Sequence, residues 1–91
     1  MTAERRLATA LEDPQVDHVH LSGGLRRALG ISRKAAERQP RLRPHRDLPG
    51  ALMIVVRRRA RDNVELLAYD EAAEAFARSF AERPVWNRLG L

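Results

Sequence analysis

Arg57-Arg58-Arg59-Ala60-Arg61 puts four guanidinium groups into five residues. A planar guanidinium grips two phosphate oxygens at once. At a hairpin tip, such a run could straddle a phosphate backbone or enter a narrow minor groove. It could equally be a solvated tip whose charge keeps edge strands from pairing with other chains. Arg41, Arg43, His45 and Arg46 form a second basic stretch with the same two readings. His18 and His20 fall on one face of any strand that carries them, with His45 as a third candidate, and metal sites use such spacings. The plainer expectation is a hydrogen-bonded pair on a partly exposed strand; no metal and no cofactor is expected. Ser22-Gly23-Gly24 could hold a phosphate at a helix start, but it lacks the longer glycine patterns of nucleotide sites, so a simple turn suffices. No nucleophile, base and acid stand at the spacing of a catalytic triad, and no carboxylate pair marks a pocket. The reading therefore leans away from an enzyme.

The distribution of charge is more telling than its sum. The 91 residues hold 17 basic and 12 acidic side chains and no cysteine, which excludes a disulfide scaffold, a thiolate metal site and a thiol nucleophile. Lys34 is the lone lysine, a bias that GC-rich coding alone would produce. Coding bias does not explain placement. Residues 21–63 carry 12 basic groups against Glu37, Asp47 and Asp62, a net of +9, while the segments on either side each net −2. Concentrated positive charge attracts polyanions and releases their counterions. Tyr69, Phe76, Phe80 and Trp86 all lie outside the basic segment, so a base-stacking platform for single strands is not expected. The longest apolar run, residues 51–56, is far short of the roughly 20 residues of a membrane span. A cytoplasmic protein without membrane contact is expected.

These residues need elements to hold them. Thr2 can cap a helix over 2–12, where Ala3, Leu7, Ala10 and Leu11 recur at helical spacing until Asp13-Pro14. Residues 15–21 alternate as a short strand, with Val16, His18 and His20 expected on one side and Asp17, Val19 and Leu21 on the other. Ser22 and Ser32 each cap a short helix, the first ending at Gly30 and the second at Pro40. Residues 40–50, with three prolines, read as loop or extended chain. Leu52–Val56 and Val64–Tyr69 are runs of β-formers that make a hairpin around the arginine run. Asp70 caps a last helix whose buried stripe is Ala73, Phe76, Ala77 and Phe80, and Pro84 ends it. The chain reads as a single small domain over 1–91, with its C-terminal helix and tail at 70–91.

The segment from Gly24 to Ala36 resembles a helix-turn-helix core. Leu25 and Leu29 form the apolar pair, Gly30 enters the turn, Ile31 fills it, and Ser32 and Ala36 open a second helix with a small inward face. Pro40 keeps that second helix to about two turns, shorter than a usual recognition helix. The expected fold is α+β of winged helix-turn-helix type, in the order α-β-α-α-β-β-α. The function expected is binding of nucleic acid, duplex DNA before RNA, by a small regulatory protein. Arg33, Lys34 and Arg38 would reach a major groove. Arg26, Arg27, Arg41 and Arg43 would lie beside them, and Arg57, Arg58, Arg59 and Arg61 would form the wing. Phe76, Phe80, Trp86 and Leu89 are candidates for a dimer seam or a partner surface. Two alternatives stand beside this: an interaction module with a basic face for an acidic partner protein, and a small basic ribonuclease. The latter resembles toxins of the RelE type in size and charge. That resemblance implies proton transfer by His45 or Tyr69 and phosphate stabilisation by Arg58 or Arg61.

Overall fold

In a computed structural model describing residues 2–59 and 64–82, the elements run α1 (Ala3–Glu12), β1 (Val16–Ser22), α2 (Gly23–Ala28), α3 (Arg33–Arg38), β2 (Leu42–His45), β3 (Leu52–Arg57), β4 (Val64–Ala68) and α4 (Glu71–Glu82). The strands form one mixed sheet in the order β2-β1-β3-β4. β1 pairs parallel with β2 and antiparallel with β3, and β3–β4 is the expected antiparallel hairpin. The domain is a small α+β unit. Its order contains one strand more than the sequence suggests, because β2 forms inside the segment read as loop or extended chain. Pro44 discourages a strand reading, but proline is tolerated on an edge strand, and β2 is an edge.

The caps arise where the hydroxyls stand. Thr2 accepts from the Arg5 N–H at 3.2 Å, Ser32 from Ala35 at 3.1 Å, and the Asp70 carboxylate from Ala73 at 2.9 Å. Ser22 does more than cap α2. Its hydroxyl accepts from the Leu25 and Leu52 N–H groups and donates to the Gly50 carbonyl at 2.6 Å, tying β1, α2 and the start of β3 into one joint.

The sheet is covered on both faces. Leu7 and Ala10 of α1, Leu25 of α2 and Ala36 of α3 pack with Val16, Val19, Leu21, Leu42, Met53 and Val55 on one side. Leu52, Ile54 and Val56 face the other side, with Leu48, Ala73 of α4 and the half-buried Phe76. β3 is thus buried on both faces, which is why its sequence is a continuous apolar run and not an alternating one. The pairing of β1 with β3 slips between Val16 and His18. This irregularity corrects the expected alternation: Val16 joins Val19 and Leu21 in the first core, while His18 and His20 take the opposite face.

Candidate anion-binding cleft

The C-terminal end of β1 opens into a cleft of about 840 Å³ between the start of α2, the start of α3 and the β2–β3 connection. Gly23, Gly24, Gly50 and Ala51 line it together with four cationic side chains, Arg26, Arg27, Arg33 and Arg46, called the rim below. Two glycines shape it. A Cβ on Gly24 would sit 2.5 Å from the Gly50 carbonyl oxygen, and Gly50 itself holds φ +63° against the Asp70 carboxylate and the Ala73 N–H. Of the Gly23-Gly24 pair, Gly24 therefore has a packing reason of its own, whereas a Cβ on Gly23 would meet only the end of the Arg27 side chain.

The four rim arginines form no ion pair among the described residues. Arg26 is held in place by donating from Nη1 to the Ile31 carbonyl at 2.9 Å, while Arg27, Arg33 and Arg46 are exposed. Two acids share the lining, Glu37 and Asp70. Asp70 is already committed, accepting from Ala73 through Oδ1 and from Ala51 through Oδ2, both at 2.9 Å.

The expected wing is elsewhere. Arg57 lies opposite Val16, at the start of β1, whereas the cleft lining begins at Gly23, just past its end at Ser22. Six residues of strand separate the two, about 20 Å. The hairpin arginines also have partners: Arg57 pairs with Glu65 at 3.0 Å, and Arg58 with Asp17 at 3.3 Å and the Pro14 carbonyl at 3.2 Å. Glu65 is shared with Arg6 of α1. Arg59 is exposed, and Arg61 lies outside the described residues. Arg41 is used structurally, its Nη1 donating to the Asp13 and Val16 carbonyls at 2.8 Å each, and Arg43 donates to Pro40. Lys34 and Arg38 are exposed on α3 beside Arg33.

No protein-family model, curated protein or solved structure matches the chain. The site must be read from its own chemistry.

The described residues of the ribonuclease alternative, His45, Tyr69 and Arg58, are not brought together. His45 is in register with Ser22 at the cleft end, and Arg58 is at the far end of β1. Tyr69 is exposed beside a second, shallower hollow lined by Arg6 and Glu65; partial burial, and then Glu65, raise its phenol above the ordinary value. Of the residues considered for a dimer seam, Phe80 is only 6% exposed, and half-buried Phe76 packs 6.0 Å from it against the second core. Trp86 and Leu89 lie outside the described residues. Arg46 was legible in the sequence as part of a basic stretch, but nothing there distinguishes it from Arg41 and Arg43, whose guanidiniums the fold consumes.

The histidines do gather. His18, His20 and His45 share the sheet face on which α4 packs, as their register with Val56, Ile54 and Ser22 requires. The Asp17 carboxylate accepts from Nδ1 of His18 at 2.7 Å, and Nε2 of His18 lies 3.1 Å from Nε2 of His20. His18, together with Arg58 and Arg43, holds Asp17 below its ordinary carboxylate value. Burial, then the neighbouring His18, His45 and Arg43, push His20 down to about 4. Among the described residues no set of three or more His, Asp or Glu converges as a metal centre, and no helix is long and apolar enough to cross a membrane.

Proposed function

We propose that this chain binds the phosphate backbone of a nucleic acid, duplex DNA in the first instance, through the arginine-lined cleft. The observation that supports the reading is the convergence of Arg26, Arg27, Arg33 and Arg46 on one concave surface without carboxylate partners among the described residues. Unpaired guanidiniums around a cleft focus a positive field and bind phosphate oxygens in pairs. The α2–α3 pair would act in the manner of a helix-turn-helix, with Arg33, Lys34 and Arg38 of α3 toward the groove. The domain would then be winged-helix-like in connectivity, with a different division of labour. Arg57 and Arg58 of the hairpin stand at the opposite end of β1 and are neutralised by Glu65 and Asp17, so they make at most a separate and weaker contact.

The test is titration of a labelled duplex at about 100 mM salt, where phosphate contacts dominate. Charge reversal of Arg26, Arg27 and Arg33 to Glu is expected to weaken binding by about 100-fold, and reversal of Arg57, Arg58 and Arg59 by about threefold. Equal losses in the two triple variants, or full binding by the cleft variant, would remove the cleft from the interface. Tighter binding of a matched RNA duplex would change the ligand and keep the site.

A further inference from the structure

The two edges of the sheet are not alike. β2 is four residues long and carries Arg43 and Pro44, both of which discourage a further strand. β4 has no proline, no lysine and no bulge against β3, and its residues Val64-Glu65-Leu66-Leu67-Ala68 hold a single charge. That charge is already answered, since Glu65 accepts from Arg6 and Arg57. Among the described residues no strand pairs with the outer side of β4, and every residue of the strand is partly exposed. Unpaired backbone groups along such an edge are a template for another strand. The hollow lined by Arg6 and residues 65–69 lies at this strand.

The hydrogen-bond phase settles which groups face outward. In an antiparallel pair, alternate opposite residues exchange bonds, and the residues between them turn their N–H and C=O away. Tyr69 donates at 2.9 Å to the carbonyl of Ala51, which lies opposite it one step beyond the Leu52–Ala68 pair. Residues 65, 67 and 69 therefore bond to β3, and the N–H and C=O of Val64, Leu66 and Ala68 point outward. That set is symmetric about Leu66. A second β4 laid antiparallel about a two-fold axis at Leu66 meets it donor to acceptor. Leu66 exchanges two bonds with the partner's Leu66, and at each end Val64 of one copy exchanges two with Ala68 of the other. The outward groups of both strands are then all used, in six bonds.

We propose that β4 is a dimerisation edge, pairing antiparallel with β4 of a second copy of this chain to make one eight-stranded sheet. Side chains and charge single out this occupant. On the α4 face, Leu66 meets the partner's Leu66 and Val64 meets the partner's Ala68, which carries the apolar layer of the second core across the seam. On the α1 face, Glu65 lies opposite the partner's Leu67, so the one charge of each strand meets a leucine and not its own copy. The partner's Tyr69 is then the diagonal neighbour of Glu65, a spacing that a long side chain spans. Tyr69 is the exposed large hydrophobic residue among those described, at 37%, and its hydroxyl has no hydrogen-bond partner among them. It can donate to Glu65 across the seam. Charge also sets the direction of pairing. An antiparallel seam sends the two arginine-bearing hairpin ends to opposite ends of the strand pair, whereas a parallel one would set them side by side.

The test uses the whole chain without nucleic acid, followed by sedimentation velocity from about 5 to 500 µM, a range suited to so small an interface. A reversible monomer–dimer equilibrium is expected. Ala68→Pro removes an outward N–H and no bond to β3, and is expected to weaken the dimer by about tenfold or more. Backbone amide signals of the wild type give a second reading that does not depend on how that variant folds. The Val64, Leu66 and Ala68 amides should shift with concentration and exchange more slowly in the dimer, while the amides of β2 should not shift. A monomer at every concentration, a folded Ala68→Pro variant that dimerises like the wild type, or shifts on β2 or α4 in place of β4 would each overturn the assignment. So would slow exchange of Leu66 and Ala68 in the monomer, which would mean that another segment of the same chain covers the edge.

Discussion

At the scale of single residues, His20 carries the clearest consequence for stability. The folded chain keeps it neutral down to about 4, because burial and then His18, His45 and Arg43 oppose a positive charge there. From β3 the same ring meets only apolar neighbours, Ile54 being its register partner. In the unfolded chain the imidazole protonates at its ordinary 6.5. Between those values the unfolded state binds more protons, so stability is fully present above pH 6.5 and is lost as pH falls toward 4. The whole loss from this group is about 3 kcal/mol at its upper bound. Urea denaturation, followed from pH 7.5 to 4, should show this component in the wild type and not in His20→Leu. The histidine pairing was legible in the sequence as a same-face spacing. The burial of one member was not, because His-x-His spacing says nothing about which half of a sheet face a helix covers.

Elements were legible to the extent that their signals are local. Ser22, Ser32 and Asp70 are hydroxyl or carboxylate caps before helical patterns, and each caps the helix that follows. β2 escaped because its signal is non-local: Leu42, Arg43, Pro44 and His45 show no β pattern and become a strand by parallel pairing with Val19 to Ser22. The slip at Val16 is likewise set by the partner strand. Ser22 shows how a local reading can be right and incomplete. Its hydroxyl meets three backbone groups from three elements and is fully buried. Ser22→Ala therefore strands two N–H groups and a carbonyl where each costs about 1–3 kcal/mol. An expected loss of about 3 kcal/mol in chemical denaturation exceeds the roughly 1 kcal/mol of an ordinary cap deletion. Ser32→Ala, whose cap is exposed and has no cross-strand bond, is the internal control and should stay near that ordinary value.

For the whole molecule, the net charge of +5 is less informative than where folding sends it. The basic block at 21–63 is continuous in sequence, and the sheet divides it, sending the α2–α3 arginines to one end of β1 and the hairpin arginines to the other. Neutralisation then separates the two ends further, since Arg57 and Arg58 find Glu65 and Asp17 while the cleft rim finds no ion-pair partner among the described residues. Salt dependence measures this partition directly, because each phosphate contact contributes about 0.9 to the slope of log affinity against log salt. Four rim arginines on phosphate correspond to a slope of about −3.6 on duplex DNA. Arg27→Ala should reduce its magnitude by about 0.9, and Arg58→Ala, whose charge Asp17 already offsets, by clearly less. Arg58→Ala also removes the cation at Oδ1 of Asp17, leaving His18 on Oδ2, which adds a local negative charge without touching the cleft. A slope that falls with Arg58→Ala and holds with Arg27→Ala would move the phosphate contact to the hairpin end. In that case the rim arginines, unpaired as they are, would have to serve an acidic protein surface, and the duplex titration would separate from the slope in the same experiment.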